Sequence, residues 1–151
     1  MGNTLVRVLL MAGVMAAFTT ATQAQSRECS DASLHGSFGF TAVGTLLALP
    51  APFAGPFGEI GRQAFDGNGN TDGTGTLSAN GNIVRVTVDG TYVVNPDCTG
   101  SMTLFVLPFA SSFSLDFVID DDGAELRAIS TGTGSVETRI YKKQFSPGPK
   151  G

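Results

Sequence analysis

The sequence predicts an all-β fold, a single antiparallel up-and-down barrel of about eight strands. Short runs of alternating apolar and polar residues fill the chain after its first two dozen residues. Gly, Asp, Asn and Pro separate these runs at short intervals, as turns require. Beyond the N-terminal segment, no window of helical length repeats its apolar residues with a period near 3.6, so helices are not expected.

The strands follow one another with short connections. Asn80-Gly81 favours a hairpin turn with positive φ, and the 50–52 segment, Pro-Ala-Pro, is predicted to be a loop. Sequential hairpins favour a meander, and closing the meander removes exposed edges; a two-sheet β-sandwich is the alternative. The predicted strands span residues 36–49, 57–65, 71–79, 83–94, 101–107, 112–119, 125–131 and 136–143.

The alternation also assigns an inner face to the barrel. Phenylalanine is abundant, with 11 residues, and several fall on this face. They either fill a core or line a pocket for a hydrophobic ligand. Gly90 interrupts the clearest strand and suggests a bulge or bend. The inward-facing aromatic residues are Phe38, Phe40, Tyr92, Phe113 and Phe117.

The N-terminal segment has the features of a secretory signal. Arg7 precedes an apolar stretch over 8–18, and small and polar residues lead to Ala24. The apolar stretch is much shorter than the ~20 residues that span a bilayer. We therefore expect a signal peptide over 1–24 and one β-barrel domain over 25–151, secreted to the periplasm or the medium and without a membrane span after cleavage.

Charge and motifs exclude several functional classes. The net charge is −4 and no basic face is evident, which argues against nucleic-acid binding. No cofactor motif occurs, and the single histidine, His35, is expected at the surface or in a cap. The alternate oxygen-bearing residues Asp66, Asn68, Asn70 and Asp72 lack the glycine and glutamate of a calcium loop, so a plain hairpin turn is predicted. No catalytic residue or metal ligand is assigned.

The two cysteines are expected to pair. Cys29 and Cys98 both lie in the predicted mature chain, and an exported protein meets oxidising conditions. Their bond would tie the N-terminal lead-in to the turn at Cys98.

Polar residues in the second strand form the candidate site. Glu59 and Gln63 face inward if Gly61 and Phe65 do, and a buried carboxyl in an apolar cavity would have a raised pKa. If Ile60 and Ala64 face inward instead, the site vanishes. The sequence leaves this choice open. The predicted ligand-binding residues are Phe38, Phe40, Glu59, Gln63, Tyr92, Phe113 and Phe117.

Three segments give the chain a resemblance to a group of small exported bacterial β-proteins of uncharacterised function. The resemblance covers most of the predicted mature chain and both cysteines, and it implies a secreted β-domain with no assigned activity. The segments are Cys29-Ser30 with 33–40 (Ser-Leu-His-Gly-Ser-Phe-Gly-Phe), 65–70 (Phe-Asp-Gly-Asn-Gly-Asn) and 90–100 (Gly-Thr-Tyr-Val-Val-Asn-Pro-Asp-Cys-Thr-Gly).

More distantly, the chain resembles calycin-type barrels such as lipocalins, avidin and allene-oxide-cyclase-like proteins. Gly36-Ser37-Phe38 is similar to the Gly-x-Trp opening of lipocalins, with Phe in place of Trp. Arg139 on the last strand is the candidate for the arginine that lipocalins place over that ring. The alternation of the last strand, however, predicts that Arg139 points outward with Glu137 and Tyr141.

These features favour a non-enzymatic exported barrel that binds a small apolar ligand, with an oligomeric state that the sequence leaves open. The first alternative is a cyclase or isomerase that works inside the barrel and uses Glu59 or Tyr92 for proton transfer. The second is a structural or cell-surface interaction protein whose partner surface lies on loops such as 50–56.

Overall fold

Eight antiparallel strands form one closed barrel, as the sequence predicts. The computed structural model describes residues 28–145, so the predicted signal peptide lies outside the described residues. Consecutive strands pair in chain order and β8 pairs with β1, which excludes the β-sandwich. The strands are β1 His35–Leu46, β2 Gly55–Asp66, β3 Asn70–Ala79, β4 Asn82–Val94, β5 Thr99–Leu107, β6 Ser111–Asp120, β7 Glu125–Ser130 and β8 Ser135–Lys143.

Each strand alternates between the interior and the solvent. In β5, Met102, Leu104 and Val106 are buried while the residues between them are exposed. The turn predicted at Asn80-Gly81 joins β3 to β4 with positive φ at both residues. Most connections between successive strands are short, so turn residues of this kind indicate the meander.

Gly90 does not form the predicted bulge. It pairs with Thr71 of β3 and Leu104 of β5, and both ladders continue without an inserted residue. A side chain at this position would overlap the Thr103 carbonyl and the Leu104 side chain. The glycine therefore permits close approach of Leu104 rather than a change of register.

The N-terminal segment covers one end of the barrel, which we call the closed end and which carries the connections 67–69, 95–98 and 121–124. A 3₁₀ turn over Asp31–Ser33 sits there, and the Asp31 carboxylate accepts a hydrogen bond from the Val94 amide at 2.7 Å. The predicted disulfide joins Cys29 to Cys98. Together these contacts fasten the segment to the turn after β4.

Large aromatic side chains fill the half of the barrel next to the closed end. The Phe65 ring makes edge-on contacts with Phe38 and Tyr92, each with centroids 5.3 Å apart, and also meets Tyr141. Leu34 from the N-terminal segment is fully buried among them. This half is a packed core.

The other half has smaller inward residues and ends at the connections 47–54, 80–81, 108–110 and 131–134, which we call the open end. Leu77, Val86, Val88 and Val106 face the interior here. Phe53 from the 47–54 connection folds back and packs edge-on against Phe109, with centroids 5.6 Å apart. Between residues 28 and 145, no helix is long and apolar enough to cross a membrane.

Candidate functional site

Three charged side chains lie inside the barrel, and we call them the ion trio: Glu59 on β2, and Glu137 and Arg139 on β8. Their exposed fractions are 7%, 4% and 4%. Glu59 is inward because Phe57, Gln63 and Phe65 share its face of β2. The Glu59 carboxyl therefore faces the interior, which is the alternative that the sequence left open.

The expectation that Arg139 points outward with Glu137 and Tyr141 is wrong. All three side chains are buried, whereas Val136 and Ile140 are 66% and 48% exposed. Hydrophobicity alone favours the opposite orientation of β8. In the observed orientation, each charge of the ion trio lies beside an opposite charge inside the barrel.

Arg139 joins the two carboxylates. Its Nε donates to Glu137 Oε1 at 2.5 Å, and its Nη2 donates to Glu59 Oε2 at 3.1 Å. Ala42 of β1 pairs in register with both Glu59 and Arg139. Since alanine is short, the ion pair can span the intervening strand.

Glycines make room for the carboxylates. A Cβ on Gly75 would lie 2.5 Å from Glu59 Oε1. Gly44 pairs with Glu137, and a Cβ there would lie 2.8 Å from the Glu137 Cβ and would overlap the Val136 carbonyl oxygen. The wall of the barrel is therefore shaped around the trio.

Aromatic rings hold the guanidinium of Arg139. Its Cζ lies 4.8 Å from the Phe113 ring centre and 5.3 Å from that of Phe40. Such cation–π contacts gain strength where water is excluded. The ring expected beneath Arg139, Phe38, instead lies 5.8 Å from Lys143 Nζ.

Burial and neighbouring charges together set the protonation of the site. It raises the pKa of Glu59, an effect that the Arg139 charge partly offsets and the Glu137 charge reinforces. Burial alone would lower the pKa of Arg139, but its interactions with Tyr141, Glu59 and Glu137 outweigh burial and raise the pKa. Burial likewise raises the pKa of Tyr141. Arg139 thus stays cationic, and Glu59 holds a proton to higher pH than an ordinary glutamate.

Some hydrogen-bonding capacity in this region is unused. Within residues 28–145, the buried atoms Arg139 Nη1, Tyr141 Oη and Gln63 Oε1 lack a hydrogen-bond partner. Buried polar atoms are normally paired, so each such atom requires an explanation. Burial raises the pKa of Tyr141 most, and the neighbouring Arg139 guanidinium partly offsets that effect.

A cavity of about 170 Å³ separates the trio from the open end. Its wall is mainly apolar, and the trio supplies its charged part. Phe109 with Ser111, Ser112 and Ser135 contributes from the open end. The apolar wall is formed by Leu46, Ala48, Leu49, Phe57, Leu77, Val86, Val88, Val106 and Phe113.

The predicted ligand-binding residues do not lie together. Glu59 and Phe113 line the cavity. Phe38, Phe40 and Phe117 belong to the packed core, and the Phe40 ring also contacts the Arg139 guanidinium. The signal that sequence reasoning missed is the polar alternation Glu137, Arg139, Tyr141 in β8.

Gln63 and Tyr92 are not part of the cavity wall. Gln63 Nε2 donates to Thr71 Oγ1 at 2.9 Å. The Tyr92 hydroxyl donates to the Leu34 carbonyl and accepts from the Gly67 amide, each at 2.9 Å. Tyr92 therefore anchors the closed end and is not placed beside Glu59.

Two other polar features lie outside the cavity wall. His35 is exposed at the start of β1. Asp66 uses its carboxylate to accept hydrogen bonds from the Asn68 and Asn70 amides and from the Asn70 side chain. Those bonds lower the pKa of Asp66 and organise the turn into β3.

Comparison of the chain with models of protein families, with curated proteins and with solved structures gave no match.

Proposed function

We propose that this protein is an exported carrier or sensor that binds one small, mainly apolar molecule in the cavity at the open end. The single observation that carries the proposal is the apolar cavity with the ion trio in its wall. Small-molecule sites commonly combine apolar walls with a few polar groups that fix orientation.

The volume sets the ligand size. A buried cavity of about 150 Å³ accommodates a benzene ring. The cavity here, about 170 Å³, fits a single-ring molecule or one of similar bulk. A longer ligand would extend past Phe109 toward the open end.

Export is part of the proposal. The disulfide between Cys29 and Cys98 is consistent with an oxidising compartment. The signal peptide predicted over 1–24 is the sequence feature that supports export. The likeness to calycin-type barrels is also part of the proposal. As in the lipocalin pattern, a cation lies over the aromatic residue of the first strand, Phe38, but this cation is Lys143 and not Arg139.

The test is recovery of the ligand. Protein purified from the oxidising compartment of its host is denatured, and the released compounds are identified by mass spectrometry. Val88→Phe is the control because Val88 is buried in the cavity wall and the added ring fills the space. We expect a compound that co-purifies with the wild type and is depleted in the variant. Equal recovery from both proteins, or from neither, would contradict the proposal.

A second candidate function is acid–base catalysis, as in a cyclase or isomerase. The observation that favours it is an inward carboxyl, Glu59, whose pKa is raised by burial at the cavity wall. Incubating the recovered compound with wild-type protein and with Glu59→Gln, followed by chromatography, separates the functions. Conversion by the wild type alone would establish catalysis, while unchanged compound in both samples would leave a binding protein.

A further inference from the structure

We propose that the cavity selects a small cationic amine with a single-ring apolar body. The inference rests on the proposed function and specifies its ligand class. The observation that carries it is a charge imbalance in the cavity wall.

The wall holds more negative than positive charge. Glu59 and Glu137 contribute two carboxylates, and among the described lining residues Arg139 is the one cation. Arg139 is already shared between both carboxylates. With both glutamates ionised, one negative charge in an apolar cavity is therefore uncompensated, which is costly unless a cation or a proton neutralises it.

Glu59 is the carboxylate placed to receive a cation. Its Oε2 accepts from Arg139 Nη2, while its Oε1 lies against Gly75, in the place that a side chain there would occupy. Glu137 uses Oε1 for Arg139 Nε in a shorter contact. The ammonium group of an amine has three N–H donors and can donate to Glu59 Oε1, while the ring of the same molecule packs against the apolar wall of the cavity.

A carboxylate ligand suits the cavity poorly. Its negative charge would lie beside those of Glu59 and Glu137, and like charges repel strongly where water is excluded. A neutral ligand leaves the imbalance in place unless Glu59 takes up a proton. The amine thus neutralises the charge and fills the apolar space at once.

The experiment compares three probes of similar shape, benzylamine, benzyl alcohol and benzoate, by isothermal titration calorimetry at mildly alkaline pH. We expect benzylamine to bind at least about tenfold more tightly than benzoate and several-fold more tightly than benzyl alcohol, a tenfold ratio being about 1.4 kcal/mol. Glu59→Gln is expected to abolish the preference for the amine while benzyl alcohol still binds. Glu125→Gln is the matched control, because this carboxylate pairs with Lys142 on the outside of the barrel.

The pH dependence gives a second test that does not need a variant. The charged and titratable groups near Glu59 are Glu137, Arg139 and Tyr141 of β8. Ala42 of β1 on one side, and Gly75 of β3 and Val86 of β4 on the other, carry no charge. Acidification that protonates Glu59 should weaken benzylamine relative to benzyl alcohol in the wild type. The preference should return when the pH is raised.

The outcomes separate the inference from the proposed function. Equal binding of benzylamine and benzyl alcohol, or tighter binding of benzoate, would overturn the amine inference but keep the ligand cavity. An amine preference that persists in Glu59→Gln would also overturn it. Failure of all three probes to bind would overturn both proposals.

Discussion

At the scale of single residues, the unusual feature is a charged cluster in the interior of a small barrel. Removing a charge from water costs several kcal/mol, and a buried pair recovers this cost only with good geometry. Arg139 meets that condition through hydrogen bonds to Glu59 and Glu137 and through two aromatic rings. The stability of the site therefore depends on the whole trio.

Arg139→Met should destabilise the protein by about 3–5 kcal/mol at neutral pH, because it leaves two buried carboxylates without a partner. Arg127→Met is the control. Arg127 pairs with Asp120 at the surface, where the two side chains are 58% and 41% exposed. A surface pair of this kind contributes about 0–1 kcal/mol. Urea denaturation measures both; equal losses would contradict the account.

Glu59 should make stability fall as the pH rises. Burial raises its pKa, so the folded protein binds this proton more tightly than the unfolded chain. The resulting stabilisation is complete below the unfolded pKa and is lost as the pH rises through the folded pKa. Each unit of difference corresponds to about 1.4 kcal/mol.

Urea midpoints of the wild type and Glu59→Gln, measured from acid to alkaline pH, check this dependence. The variant should gain on the wild type as the pH rises across that window. A difference between the two proteins that does not change with pH would contradict the raised pKa.

The sequence predicts part of this residue-scale picture. Glu59 is identifiable because it interrupts an otherwise apolar strand. The direction of the Glu59 side chain is not predictable from the sequence, because Gly61 and Ala64, on the two faces of β2, are both small. For β8, Val136 and Ile140 suggest the wrong inner face, because a local apolar count cannot register a partner such as Glu59 that lies 80 residues away.

At the scale of the strands, small inward residues determine where large groups fit. Ala42 and Gly44 of β1 lie between β2 and β8 at the level of the ion trio. The strand bounds follow well from turn residues such as Asn80-Gly81. The role of an inward glycine cannot be predicted in the same way. Gly90 leaves room for the Leu104 side chain, whereas the sequence suggests a bulge or bend at this position.

Gly44→Ala should destabilise the barrel by about 1–3 kcal/mol, because the new methyl would overlap the Val136 carbonyl and crowd Glu137. Gly58→Ala is the matched control on the neighbouring strand, where a Cβ would meet no atom within 4 Å. The control should be neutral or slightly stabilising. Thermal denaturation of both variants tests the difference, and equal melting temperatures would show that Gly44 has no role in packing.

At the scale of the whole molecule, the barrel has a packed half and a hollow half. Closure in chain order follows from the short connections and is predicted from the sequence. The division into a packed half and a hollow half is not predicted from the sequence. It depends on the strand register, which decides which inward residues of different strands lie at the same height in the barrel. The aromatic rings gather around Phe65 near the closed end, while valines such as Val86 and Val88 lie near the open end.

The disulfide should contribute strongly to overall stability. Cys29 and Cys98 are 69 positions apart, and a loop of this length corresponds to about 4 kcal/mol in the chain-entropy model. The double variant Cys29→Ala/Cys98→Ala should lose roughly this amount in urea denaturation. Wild type treated with a reductant should match it. A loss below about 1 kcal/mol would show that the hydrogen bonds at the closed end hold the N-terminal segment unaided.

The central claim is that the cavity at the open end binds a small ligand, and the most direct measurement is a titration of ¹⁵N-labelled protein with benzyl alcohol followed by amide chemical shifts. We predict saturable shifts at Val86, Val88, Val106 and Phe113, which line the cavity. Amides of the packed core, such as Met102 and Leu126, should stay in place. An absence of saturable shifts, or shifts confined to the outer surface, would contradict the claim.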